Sequence, residues 1–106
     1  MIPELKFFET ANELCVHLCG EIDHHTARGI REQIDARLFQ RRASVLELDF
    51  SGVCFMDSSA IALIIGRHEI ASALGTSVRL SGLSDAHKKL LRISGIEKLK
   101  NLTVRS

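Results

Sequence analysis

Two hydroxyls follow a carboxylate in Asp57-Ser58-Ser59, immediately ahead of the most apolar run of the chain, residues 60–65. Aspartate and serine are preferred helix N-caps, where a side-chain oxygen accepts a free backbone N–H and contributes about 1 kcal/mol. The same place suits acceptance of a phosphoryl group by Ser58. The first turn of a helix has unpaired N–H groups and the positive end of the helix dipole, so a phosphate is accommodated there. Asp57 opposes this in part, because a phosphate beside a carboxylate is repelled. A switch at Ser58 would then act mainly on a partner. From these residues alone, the cap and the phosphoacceptor both remain open.

Other reactive side chains form weaker patterns. No G-x-S-x-G elbow surrounds Ser58 and no histidine is spaced to serve it, so a serine hydrolase fits poorly. Cys15, Cys19, His24 and His25 do not match zinc spacings, and adjacent histidines do not share a helix face. His68-Glu69 lacks the second histidine of a metalloprotease helix, and no glycine-rich phosphate loop is present. No metal or cofactor is expected.

The elements that must position these groups follow from hydrophobic periodicity. Residues 44–50 form a mostly buried strand through Val45, Leu46, Leu48 and Phe50, and residues 51–56 connect it to the helix that ends at Leu74-Gly75. Ahead of it, Leu5–Glu9 and residues 13–18 make two strands around the turn Thr10-Ala11-Asn12. Leu14, Val16 and Leu18 take one face of the second strand; Cys15, His17 and Cys19 take the other. Gly20-Glu21-Ile22-Asp23 breaks the alternation, and Asp23 or a neighbour caps a helix over about residues 24–40. Thr26, Ile30, Ile34 and Leu38 give that helix its inner stripe with Ala27 and Phe39 alongside, and Arg28, Arg31, Glu32, Asp35 and Arg42 face water.

After the central helix, residues 76–80 form a strand with Val78 and Leu80 on one face. Ser84 caps a helix with the stripe Leu90, Leu91 and Ile93; Gly95 ends it, and residues 99–104 make a last strand. The order β-β-α-β-α-β-α-β predicts an α/β fold. Its sheet is mixed and mainly parallel, with an edge hairpin and helices packed against it.

Length and composition bound the class. A chain of 106 residues suits one domain, 1–106, burying about two-thirds of its surface. The net charge is +1 with both signs interspersed, which leaves no footprint for nucleic acid. No apolar run approaches the roughly 20 residues that cross a bilayer. Met1-Ile2-Pro3-Glu4-Leu5-Lys6 carries neither the charged region nor the apolar core of a secretory signal, so a cytoplasmic setting is expected. The 3 cysteines, Cys15, Cys19 and Cys54, cannot all pair within one chain and suit small buried hydrophobes. Asn101-Leu102-Thr103 matches a glycosylation pattern that carries no weight without export.

Two segments together resemble the bacterial anti-sigma factor antagonists of the STAS-domain family. Gly20-Glu21-Ile22-Asp23-His24-His25-Thr26-Ala27 looks like their strand-to-helix segment. Phe55-Met56-Asp57-Ser58-Ser59, with the apolar helix through Gly66-Arg67, looks like their phosphorylation segment. The resemblance implies a STAS-type single domain that is not an enzyme. Members bind an anti-sigma factor with ATP-dependent serine kinase activity and so free the sigma factor. Phosphorylation of the first serine after the aspartate, here Ser58, switches binding off, and a serine phosphatase restores it. The implied partner surface comprises Gly20, Glu21, Asp23, His24 and Thr26 with Met56, Asp57, Ser59, Ala60 and Arg67. Ala60 stands where the family commonly has glycine. Asp23 and Thr26 serve equally well as capping residues, and Arg67 as a solvated charge late in its helix. The alternative is a STAS interaction or scaffold module not controlled by phosphate. Neither nucleic acid nor membrane is an implied partner.

Overall fold

The computed structural model describes residues 5–105. The expectation for Met1-Ile2-Pro3-Glu4 lies outside them. The chain runs β1 (Leu5–Glu9), β2 (Glu13–Ile22), α1 (Ala27–Gln40), β3 (Val45–Met56), α2 (Ser58–Ala73), β4 (Ser77–Ser81), α3 (Asp85–Ser94), a 3-10 turn (Ile96–Lys98) and β5 (Leu102–Val104). The five strands form one sheet in the order β1-β2-β3-β4-β5. β1 pairs antiparallel with β2, and the other three pairings are parallel. The α/β architecture with an edge hairpin is the one that the alternation of elements predicts.

One sheet face builds the core. Leu14, Val16 and Leu18 of β2, Leu46, Leu48 and Phe50 of β3, and Val78 and Leu80 of β4 are all buried. Ile30, Ile34 and Leu38 of α1 and Leu63, Ile64 and Ala71 of α2 pack into the same cluster. Parallel strands covered on both faces are apolar throughout. These strands alternate instead, and their second face carries a polar network. Arg79 bridges Glu13 and Glu47, Ser81 Oγ donates to Glu47 Oε2 at 2.9 Å, and Arg105 reaches Glu47 at 3.4 Å. His17 Nδ1 sits 3.1 Å from Asp49 Oδ2 on the same face. Burial alone would raise the Glu47 carboxyl, but hydrogen bonds from Arg79 and Ser81 outweigh it and hold the group below its ordinary range.

Several boundaries differ from the periodicity reading. β2 continues through Gly20 to Ile22 and β3 through residues 51–56, because each supplies the other's backbone partners across two register shifts. α1 begins at Ala27, since residues 23–26 are held in a turn. Phe39 is 67% exposed: one residue past Leu38, it has turned about 100° off the inner stripe. Ile93, two residues from buried Leu91, faces the opposite side of α3 and is 77% exposed. Cys54 is exposed, and Cys15 and Cys19 are half-buried on the polar face rather than in the core. The last strand is short because residues 99–101 form a bend and turn, with Asn101 at φ 63°. Among the described residues no helix is long and apolar enough to cross a membrane.

Candidate functional site

Asp57 has extended backbone geometry and ends β3's run into α2. Its Oδ1 accepts the Ser59 N–H at 2.8 Å, and its carbonyl accepts the Ala60 N–H at 3.0 Å. The capping role expected of this aspartate is therefore filled. Ser58, the first residue of α2, is exposed, and its hydroxyl has no hydrogen-bond partner among the described residues. Ser59 is half-buried. Met56 and Ala60, implied as part of a partner surface, are instead turned inward, at 7% and 0% exposure. Ala60 heads a buried stripe that continues through Leu63, Ile64, Arg67 and Ala71. A methyl group in place of a glycine hydrogen at residue 60 therefore contributes to the core rather than to an outer surface.

The companion segment lies alongside. Gly20 pairs with Val53, Glu21 with Phe55 and Ile22 with Met56, and the Asp57 N–H donates to the Ile22 carbonyl at 3.3 Å. Both segments thus sit at the C-terminal ends of adjacent parallel strands, where open α/β sheets place their sites. Gly20 has φ +81° and open space where a β-carbon would stand, so backbone conformation rather than crowding asks for glycine. Asp23 Oδ1 accepts the His25 N–H at 2.9 Å and the Thr26 N–H at 3.1 Å. Thr26 Oγ1 donates to the Glu21 carbonyl at 2.9 Å and accepts the Asp23 N–H at 3.0 Å. The Thr26 and His25 amides hold the Asp23 carboxyl below the usual carboxylate range. Asp23 and Thr26 thus brace the turn, while Glu21, His24 and Phe55 remain exposed. Phe55, 49% exposed, joins this surface although no periodicity in the sequence marks it as outward.

Arg67 corrects a second expectation. It is 4% exposed, not solvated, and its Nε lies 2.7 Å from Asp35 Oδ1 of α1. The two atoms are close but poorly aligned for a hydrogen bond. Burial pushes the Arg67 guanidinium down and the Asp35 carboxyl up, so their attraction only partly offsets desolvation. The signal was present in the sequence: Arg67 stands four residues from both Leu63 and Ala71, on the buried stripe.

The other residues weighed for metal binding do not converge. Cys15 and Cys19 lie on the sheet's polar strand face, whereas His24 and His25 stack on each other beyond the end of β2 with ring centroids 4.0 Å apart. Among the described residues no group of three or more His, Cys, Asp or Glu is placed to hold a metal. His68 is bonded to the Lys100 carbonyl at 2.7 Å.

Comparison with known proteins agrees with this geometry. The family model described as STAS domain matches residues 3–105. An anti-sigma F factor antagonist of Paenibacillus polymyxa is 33% identical over 86 residues, covering 81% of this chain and 74% of the relative. The anti-sigma-B factor antagonist of Bacillus subtilis (strain 168) is 26% identical over 98 residues, covering 92% and 88%. Among solved structures, the anti-sigma factor antagonist SpoIIAA in its unphosphorylated form superposes with TM-score 0.80 at 26% identity, over 97% of this chain and 89% of that one. With the family model spanning the sheet, the helices and both segments that meet at Ser58, this chain belongs to the STAS domain family.

Proposed function

We propose that this chain is an anti-sigma factor antagonist switched by phosphorylation of Ser58. The unphosphorylated form binds an anti-sigma factor that is also an ATP-dependent serine kinase, and the sigma factor is released. The kinase then transfers a phosphoryl group: Ser58 Oγ bonds to the γ-phosphorus of ATP, the bond to the β-phosphate oxygen breaks, ADP leaves, and the hydroxyl proton passes to a base on the kinase. The modified chain lets go. A serine phosphatase hydrolyses the Oγ–P bond and restores the binding form. In this reading the chain is a substrate and a binding switch, not a catalyst, and its setting is the cytoplasm, where ATP and sigma factors meet.

The observation that carries the proposal is the exposed, unbonded Ser58 hydroxyl at the first turn of α2, beside the exposed end of β2. The partner surface proposed around it is Gly20, Glu21, His24 and Phe55, with Asp23, Thr26, Asp57 and Ser59 shaping the backbone from beneath. Incubation with the cognate kinase and ATP, followed by mass spectrometric location of the phosphate, tests the assignment. One phosphate on Ser58 is expected. A Ser58→Ala chain modified to the same extent as the parent would overturn it.

A further inference from the structure

The cysteines of the chain sit in three different settings. Cys54 is exposed and has no hydrogen bond among the described residues. Cys15 is half-buried, with its Sγ 3.8 Å from Glu47 Oε2. Burial, reinforced by the Glu47 and Asp49 carboxylates, pushes that thiol up and keeps it protonated. Cys19 is half-buried on the same open face of the sheet, two residues along β2 from His17. His17 pairs with Asp49 and Cys19 with Gly52, so the extra residue of β3 in this stretch sets glycine, not Ser51, opposite the thiol.

That glycine lets the thiol and the imidazole face each other. A β-carbon on Gly52 would stand 3.0 Å from Cys19 Sγ and 3.1 Å from His17 Nε2, so the two atoms are at most about 6 Å apart. Gly52 is not among the glycines with positive φ, so close approach rather than backbone conformation asks for it here. On the other side of the ring, His17 Nδ1 lies 3.1 Å from Asp49 Oδ2. Burial alone would raise the Asp49 carboxyl, but hydrogen bonds from Ser51 and His17 outweigh it and hold the group below its ordinary range. An ionised carboxylate only accepts hydrogen bonds, so Nδ1 carries the ring proton and Nε2 keeps a free lone pair on the side of Cys19. No hydrogen bond joins Nε2 to Sγ in the free chain; such base-to-nucleophile distances are often long until a reagent arrives. Thiol, imidazole and carboxylate thus stand in the order nucleophile, base and group that orients the base. The His17 and Asp49 side chains are 27% and 26% exposed, which leaves the face open to a small molecule.

We propose that Cys19 is a reactive thiol, activated by His17 and Asp49, that takes up a mixed disulfide from low-molecular-weight disulfides. His17 Nε2 accepts the thiol proton, and the Cys19 sulfur attacks one sulfur of the reagent. The new S–S bond forms as the reagent's own S–S bond breaks, and the departing thiolate takes the proton back from His17. One mixed disulfide and one small thiol result, and the reagent is the only oxidant. Asp49 is a positioning residue that fixes the tautomer of the ring. The same face carries Lys6, opposite His17 in register, and the network of Glu13, Arg79, Glu47 and Arg105, whose charges answer one another. The site is separate from Ser58 and does not depend on its modification.

The test exposes the full chain to hydroxyethyl disulfide, a neutral probe, and stops the reaction with acid at intervals. Peptide mass spectrometry then reads the mixed disulfide at each cysteine. Near neutral pH, Cys19 should react about tenfold or more faster than the more exposed Cys54, with Cys15 the slowest. Over one pH unit below about 8 an ordinary thiol loses roughly tenfold in rate, whereas Cys19 should lose less than about threefold. His17→Gln should slow Cys19 by about tenfold or more and give it the ordinary pH profile, with Cys54 unchanged as the internal check on the fold. Asp49→Asn keeps an acceptor for the Ser51 N–H, which donates at 2.9 Å, and should slow Cys19 as well. A Cys19 no faster than Cys54 in the parent chain would overturn the proposal. So would an unchanged Cys19 rate in either variant, or an equal slowing of Cys54. The parent comparison and its pH profile decide the matter even if a variant fails to fold. The readout involves no kinase or partner, so its failure leaves the Ser58 reading standing, and failure of that reading leaves this one standing.

Discussion

Replacing Ser58 with aspartate separates a charge switch from a mere loss of shape. Ser58 is exposed in the free chain and bonded to nothing among the described residues, so the substitution breaks no contact. A negative charge in the first turn of α2 gains about 0.3–1 kcal/mol from the helix dipole, offset by repulsion from Asp57 next to it. Stability of the free chain should therefore stay within about 0.5 kcal/mol of the parent. In the proposed complex the same charge is buried without a partner, at a cost on the order of 2–5 kcal/mol. Each 1.4 kcal/mol is about tenfold, so affinity should fall roughly thirty- to several-thousand-fold. The dipole term acts on free and bound chain alike and cannot rescue binding. Calorimetric titration of the anti-sigma factor with the parent, Ser58→Asp and Ser58→Asn measures this, with thermal melts as a control. The asparagine variant matches aspartate in size and should lose far less. Equal losses for Asp and Asn would refute the charge argument, and unweakened binding by Ser58→Asp would favour a scaffold module without a phosphate switch.

Three further outcomes follow from the same geometry. Asp57→Ala removes the 2.8 Å cap bond to Ser59 and should cost about 1 kcal/mol, lowering the melting temperature by about 4–8 °C, while Asp57→Asn keeps an acceptor and loses less than half of that. Asp35→Ala leaves the Arg67 charge buried and uncompensated and should cost about 2–3 kcal/mol in urea unfolding, the lower end because Asp35 is 22% exposed; the pair Asp35→Leu with Arg67→Met should recover most of it. On the sheet's polar face, Glu47 is held below its ordinary pKa of 4.5, so its contribution is complete above that value and lost as pH falls through the depressed one. Asp35, raised by burial, has the opposite sign. The difference in urea midpoint between parent and Glu47→Gln should therefore shrink as pH falls from about 5 to 2, and a constant difference would refute the assignment.

What could be seen in the sequence was whatever depends on near neighbours. Alternation placed Leu14, Val16 and Leu18 on the core face and Cys15, His17 and Cys19 on the other, as observed. Asp57, Ser84 and Gly95 have the residue types that caps require, and they occupy those positions. The second half of β3 was hidden because Ser51-Gly52 has the composition of a turn. Its strand state depends on β2, some thirty residues earlier in the chain, continuing past Gly20 to supply the pairing. Arg67 and Asp35 were hidden for the converse reason. The spacing of Arg67 was right for the interior but its charge argued for water, while Asp35 lies off the inner stripe of its own helix, and only their facing each other makes the buried charge tolerable. Phe39 and Ile93 show the same limit from the apolar side, since hydrophobicity alone does not turn a side chain inward.

The first turn of α2 also decides who reads the proposed switch. Ser58 and Ser59 are consecutive helical residues and so point about 100° apart. Ser59 lines a groove between α1 and α2, and Ser58 does not. A phosphoryl group on Ser59 instead would lie at this groove, which Arg28, Arg31 and Arg67 also line. Charge-assisted hydrogen bonds would then neutralise it, and a docking surface would feel little of the change. On Ser58 the new charge lies outside that groove. It stays on the exposed surface where β3 runs into α2, where the proposed partner has to meet it. A single residue of helical phase thus keeps the proposed phosphate away from the groove and leaves its repulsion to be felt by the partner.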